Sequence, residues 1–92
     1  MIVFSSTIAA ASTSSASNSV HGKFNASVGS GMTAGSVILE KQYPDSTNWF
    51  TVHAFTGSGS IQVEEVEGDV VYRFTSDSSF AGSVLVRVGD ID

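Results

Sequence analysis

The stretch Val70-Val71-Tyr72-Arg73-Phe74-Thr75-Ser76-Asp77-Ser78-Ser79-Phe80-Ala81-Gly82-Ser83-Val84-Leu85-Val86-Arg87-Val88 decides the fold class. Apolar and polar side chains alternate on either side of a Ser-rich turn, and a period of two belongs to strands. Val84, Val86 and Val88 share one face of the second run, with Leu85 and Arg87 on the other. In the first run Tyr72 and Phe74 point inward, and Arg73 and Thr75 point out.

The same reading extends upstream. Ile61-Gln62-Val63-Glu64-Glu65-Val66-Glu67 is closed by the turn residues Gly68-Asp69. Ile61 and Val63 share a face, Val66 falls out of phase, and a β-bulge at Glu64-Glu65 would restore the register. Trp49 to Phe55 is a strand bounded by Gly57-Ser58-Gly59, with a second bulge expected between Trp49 and Val52. Val37 to Lys41 turns Val37 and Leu39 inward, with Ile38 the competing choice. Val20 to Val28 places Phe24, Ala26 and Val28 on one face, and Ile2 to Ile8 supplies a first strand. Gly29 to Gly35 reads as a hairpin loop joining Phe24–Val28 to Ser36–Lys41. About seven short strands at regular spacing predict an all-β fold, a small antiparallel β-sandwich. Its expected core is Phe24, Val37, Leu39, Trp49, Tyr72, Phe74, Val84 and Val86.

Composition agrees. Ser and Thr make up 24 of the 92 residues, and no apolar helical stripe runs through the chain. Ser and Thr compete with helical hydrogen bonding, and Thr suits strands. Residues 9–19 are almost wholly Ala, Ser, Thr and Asn. Such a segment has little to bury, so residues 1–19 are expected to form a terminal strand or arm, extended or flexible, and residues 20–92 the β-sandwich domain. Ninety-two residues fit one domain with a modest core, which favours self-association.

Charge excludes several partners. Only 4 residues are Lys or Arg against 9 Asp or Glu, a net charge of −5. Lys23, Lys41, Arg73 and Arg87 are scattered singly, too few to neutralise a phosphate backbone or to hold an anionic membrane. No apolar run is long enough for a membrane span, and Met1-Ile2-Val3-Phe4 lacks the positive start of a signal peptide. With no cysteine there is no thiol nucleophile, disulfide or thiolate metal site, a composition that leans towards folding in a reducing cytoplasm.

Chemistry-bearing groups read blandly. His21 and His53 stand without a nucleophile elbow or an Ser-x-x-Lys motif, so no catalytic residue is assigned. Glu64, Glu65, Glu67 and Asp69 lie along a strand and its turn with alternating faces. A solvated surface, with cross-strand pairing to Arg73 or Arg87, is the better reading than a calcium loop. No metal or cofactor is assigned. Aromatics are the remaining binding candidates: Tyr43, Trp49 and Phe80 could stack carbohydrate or anchor a protein contact.

From Gly31 onward the chain resembles a family of small tailed-phage and prophage proteins. The resemblance is carried by Gly35-Ser-Val-Ile-Leu-Glu-Lys-Gln, Asp45-Ser-Thr-Asn-Trp49, Glu67-Gly-Asp-Val-Val-Tyr72-Arg73-Phe74 and Ala81-Gly82-Ser83-Val84 to Val88. The family pattern is a strand ending in Leu-Glu, a turn with Asp before Trp, then Tyr-Arg-Phe and a final Ser-Gly-Thr-Val strand. The chain departs from it in the Ser/Ala/Thr segment before Val20, and in Asp-Ser-Thr-Asn where Asp-Gly-Gly is common. The resemblance implies a virion structural protein, most simply a capsid decoration (cement) protein on the capsid exterior, assembled in the host cytoplasm. Implied partners are the major capsid protein and the chain itself, as a homotrimer. A tail fibre, knob or adaptor component, or a carbohydrate-binding module, are the alternatives. The expected contact residues are Ile2, Val3, Phe4 and Ile8 on the arm, with Phe80 as an exposed anchor.

Overall fold

The computed structural model describes residues 2–9 and 20–90, with side chains for 4–9 and 20–89. Among these the fold is all-β and holds eight strands: β1 Ile2–Ala9, β2 Gly22–Val28, β3 Met32–Ala34, β4 Val37–Gln42, β5 Phe50–Phe55, β6 Gly59–Glu65, β7 Val71–Ser76 and β8 Ala81–Asp90. They form two antiparallel sheets. The larger has the order β1-β8-β2-β6 with β3 also on β8, and the smaller has the order β5-β4-β7.

The alternation seen in sequence sets the inner faces. Val84, Val86 and Val88 are buried from β8, Phe24, Ala26 and Val28 from β2, Val37 and Leu39 from β4, and Tyr72 and Phe74 from β7. These residues form one apolar core shared by both sheets. Phe24 of the larger sheet meets Tyr72 of the smaller edge to face, ring centroids 4.9 Å apart. Each such side chain contributes about 1.5–3 kcal/mol on burial.

The first strand differs from an arm. β1 pairs with β8 from Ile2 to Ala9, opposite Gly89 to Ser83. Ile8 is fully buried in the core and Phe4 packs against it. A β-strand sends alternate residues to one face, so joining the sheet turned Ile8 inward and removed it from the expected contact set. The side chains of Ile2 and Val3, and the remainder of the Ser/Ala-rich segment, residues 10–19, lie outside the described residues.

The region between Gly29 and Gly35 is not a hairpin loop. β2 runs along β8 from Val86 to Asp90, and β3 then pairs with the Ala81–Gly82 end of the same strand. β4 belongs to the other sheet, so the chain bends along β8 and then crosses between layers. Gly31 and Gly82 make the bend. Both have positive φ (128° and 109°). A Cβ on Gly31 would strike the carbonyl oxygen of Ser83, and one on Gly82 that of Gly31. Only glycine allows two backbones so close in that conformation.

The expected bulges resolve differently from one another. β5 carries one: Leu39 pairs with His53 and Glu40 with Thr51, leaving Val52 as the extra residue. β6 carries none, and its pairing with β2 runs unbroken from Gly22–Glu65 to Val28–Gly59. Glu65 therefore stays in phase with Ile61 and Val63 and turns inward, and β6 ends there.

Candidate interaction surface

The inward position of Glu65 organises one end of the interlayer. Its side chain is only 4% exposed, and a buried carboxylate needs partners. They come from the smaller sheet. The Tyr72 hydroxyl donates to Oε1 at 2.6 Å, and Lys41 Nζ lies 3.3 Å from the same atom. The Glu67 backbone N–H donates to Oε2 at 3.2 Å. Burial pushes the Glu65 carboxyl up, but the Tyr72, Glu67 and Lys41 contacts together outweigh it and hold the group below the ordinary carboxylate value. Burial first, then the Glu65 carboxylate, holds the Tyr72 phenol well above its usual range. Contact with Tyr43 is the largest influence raising Lys41; burial opposes it and Glu65 adds to it. The group of four acids read as solvated in sequence thus divides. Glu64, Glu67 and Asp69 are exposed and Glu65 is not.

Lys41 links this network to an aromatic cluster around the turn between β4 and β5. Its Nζ stands 4.9 Å from the Tyr43 ring centroid, and Tyr43 tilts against Phe50 at 5.7 Å. The turn is closed by Ser46 N–H to the Tyr43 carbonyl and Asn48 N–H to Ser46 Oγ. Trp49 follows it. It is half-buried rather than part of the core, because the Arg73 guanidinium covers its ring at 4.1 Å. Glu40 accepts from Arg73 Nε at 2.8 Å and fixes the guanidinium in place. Glu40 and Arg73 are direct neighbours across β4 and β7. Among the described residues the ion pairs are therefore Arg73–Glu40 and Lys41–Glu65, not pairs between Arg73 or Arg87 and the β6 acids. Phe50 is 44% exposed beside this cluster.

Phe80 is not an anchor on the surface. It is buried at 7% exposure, because the turn before β8 folds back on the β3–β4 corner. Asp77 Oδ1 accepts from the N–H groups of Ser36 and Ser79, and the Asp77 N–H donates to the Ser36 carbonyl. That staple seats Phe80 under Gly35, where any Cβ would meet the Phe80 backbone. The Asp-Ser-Ser spacing was the available signal, since Asp commonly folds back two residues on.

His21 and His53 are both exposed, and His53 rests edge to face on Phe55 at 4.6 Å. His53, Phe55, Gly57, Gly59 and Ile61 line an open hollow of about 210 Å³ at the β5–β6 turn. Among the described residues no group of His, Asp or Glu is placed to hold a metal ion. The arrangement offers contact chemistry: an indole under a pinned guanidinium, two further aromatics and a half-exposed ammonium. No protein-family model matches the chain, nor does any curated protein or solved structure.

Proposed function

We propose that this chain is a non-catalytic structural protein of a tailed-phage virion, a capsid decoration protein that clamps neighbouring capsid subunits. The sequence resemblance from Gly35 to Val88 supports the virion setting. The observation that supports contact as the task is the cluster of Tyr43, Trp49, Phe50 and Arg73 at one end of the smaller sheet. Tyr, Trp and Arg are the residue types that dominate protein–protein hot spots, where rigid rings supply contact area at little entropic cost. The terminal strand is not proposed as the clamp, since Ile8 belongs to the core.

The test is co-sedimentation with undecorated shells of the cognate major capsid protein. Saturable binding is expected, with loss of occupancy in the double variant Trp49→Ala, Phe50→Ala. Full occupancy by that variant would sink the assigned surface. Failure of the unaltered protein to bind shells would sink the decoration reading, and labelling at the tail would replace it with a tail component. Glycan screening covers the carbohydrate alternative, which now rests on Trp49 and Phe50, since Phe80 is buried.

A further inference from the structure

We infer that the outer edge of β6 is a self-association site, at which a second copy of this chain adds its own β6 antiparallel about a two-fold axis at Gln62. Backbone parity shows which groups are free. Gly29 N–H donates to the Leu85 carbonyl at 2.8 Å, so positions 29, 27 and 25 of the β2 track bond to β8. Bonding direction alternates along a strand. Ala26, Phe24 and their alternates therefore bond to β6, and their β6 partners are Ile61 and Val63. Ser60, Gln62 and Glu64 then point their N–H and C=O groups away from β2. Among the described residues β6 pairs with no other strand.

Natural edges are blunted by bulges, prolines, lysines or irregular pairing. β5 has its bulge at Val52, and β1 has a register shift between Ile2 and Phe4. β6 has no bulge, Pro or Lys over seven residues in continuous register, and its one inward charge, Glu65, lies at the end of the strand and is held by Lys41 and Tyr72. Among the described residues it is an edge left open to pairing; β7, at one edge of the smaller sheet, also keeps an unbroken register, but its Tyr72, Phe74, Thr75 and Ser76 carry further contacts.

The sequence of β6 selects its own copy as the occupant. With the axis at Gln62, Ile61 faces Val63 of the second copy and Gln62 faces Gln62. Glu64 faces Ser60, and Glu65 faces Gly59. The apolar row at Ile61 and Val63, half-buried in one chain, continues across the axis on the inner face. No two like charges are opposed. Other registers fail: an axis at Glu64 sets that carboxylate against itself, and one at Ser60 runs into the Gly57–Ser58 turn. Axes at Ile61 and Val63 also bring outward residues into bonded pairs, but each pairs only five residues of the strand and the second sets Ile61 against Glu65; Gln62 is the midpoint of Gly59–Glu65, and its axis alone pairs all seven residues.

Light scattering on the full chain tests this. The unaltered protein should weigh an even multiple of 9.6 kDa, and Gln62→Pro should halve that mass. Pro is tolerated where an edge N–H faces solvent, and the thermal transition of the variant checks its fold. Gln62→Lys and Gln62→Glu each place like charges across the axis and should each halve the mass. Mixed in equal amounts they should restore it. An odd multiple, or a mass indifferent to all three changes, overturns the inference. A trimer in particular would do so while supporting the virion reading, and a dimer bound to no shell would do the reverse.

Discussion

Phe24, Leu39, Phe74 and Val86 fill one part of the interlayer with carbon, whereas at the Glu65 end the same inward rows deliver a carboxylate, a phenol and an ammonium. Both regions join the two sheets. The first does so by removing apolar area from water, which is non-directional and insensitive to pH. The second does so through charge-assisted hydrogen bonds, which are directional and exist in only one protonation state. The contrast teaches that the alternation specifies burial while the residue at each inward position specifies what kind of bond burial creates. It also implies that the two regions answer differently to substitution, acid and salt.

The largest effect is expected in the apolar region. Leu39→Ala should cost about 3 kcal/mol, the transfer loss plus the cavity it leaves, and the cost should be the same at neutral and mildly acidic pH. Denaturant melts at both pH values check it. A cost that changes with pH would break the distinction between the regions.

Tyr72→Phe comes next. It removes the shortest bond to Glu65 while keeping the ring against Phe24. The expected loss is about 2 kcal/mol at neutral pH, the usual cost of a hydrogen bond to a buried charge. A double-mutant cycle with Glu65→Gln should show coupling, because both changes delete one interaction.

Acid should loosen the Glu65 end selectively. The folded carboxyl lies below its ordinary value of 4.5, so the unfolded chain takes up the proton first as pH falls. The stabilisation is complete above that value and is lost as pH drops through it towards the folded pKa. On the alkaline side the Tyr72 phenol is raised above its ordinary 10.0 and Lys41 above 10.5. The unfolded phenol and amine lose their protons first, so stability falls again as pH rises past about 10. Thermal melts of Glu65→Gln should show a shallower acid slope than the unaltered protein. Equal slopes would assign acid sensitivity elsewhere.

Most of the layer architecture was legible because alternation survives in a single sequence. Tyr72, Phe74, Val84 and Val86 announce their faces by spacing alone. What escaped reading is long-range. Gly29 to Gly35 carries turn residues whether it closes a hairpin or bends along β8, and only the pairing of Met32 with Gly82 decides between them. Glu65 was in phase with Ile61 and Val63, but an acid invites assignment to water, and its phenol partner lies on another strand. Trp49 looked like core by size. Its burial is instead shared with Arg73, which Glu40 aims from the neighbouring strand. Phe80 looked exposed because its cover is a backbone staple through Asp77, with no apolar neighbour in sequence to betray it.

The smallest effect should come from the Glu40–Arg73 pair, which sharpens the comparison from outside the interlayer. Its geometry is as good as that of the buried network, with Nε to Oε1 at 2.8 Å, yet the side chains are 16% and 27% exposed. Water screens such a pair, and exposed ion pairs contribute about 0.2–1 kcal/mol. Glu40→Gln should therefore lower stability by well under about 1 kcal/mol, and added salt should erase most of the difference. Tyr72→Phe should keep its cost in the same salt, since the bond it removes is buried. Its readable consequence should be local: without the carboxylate the guanidinium is no longer pinned, and the fluorescence of Trp49, the sole tryptophan, should change while the melting transition barely moves. If Glu40→Gln instead proved as costly as Tyr72→Phe, good geometry alone would explain both pairs, and burial would lose its place as the feature that separates the two regions.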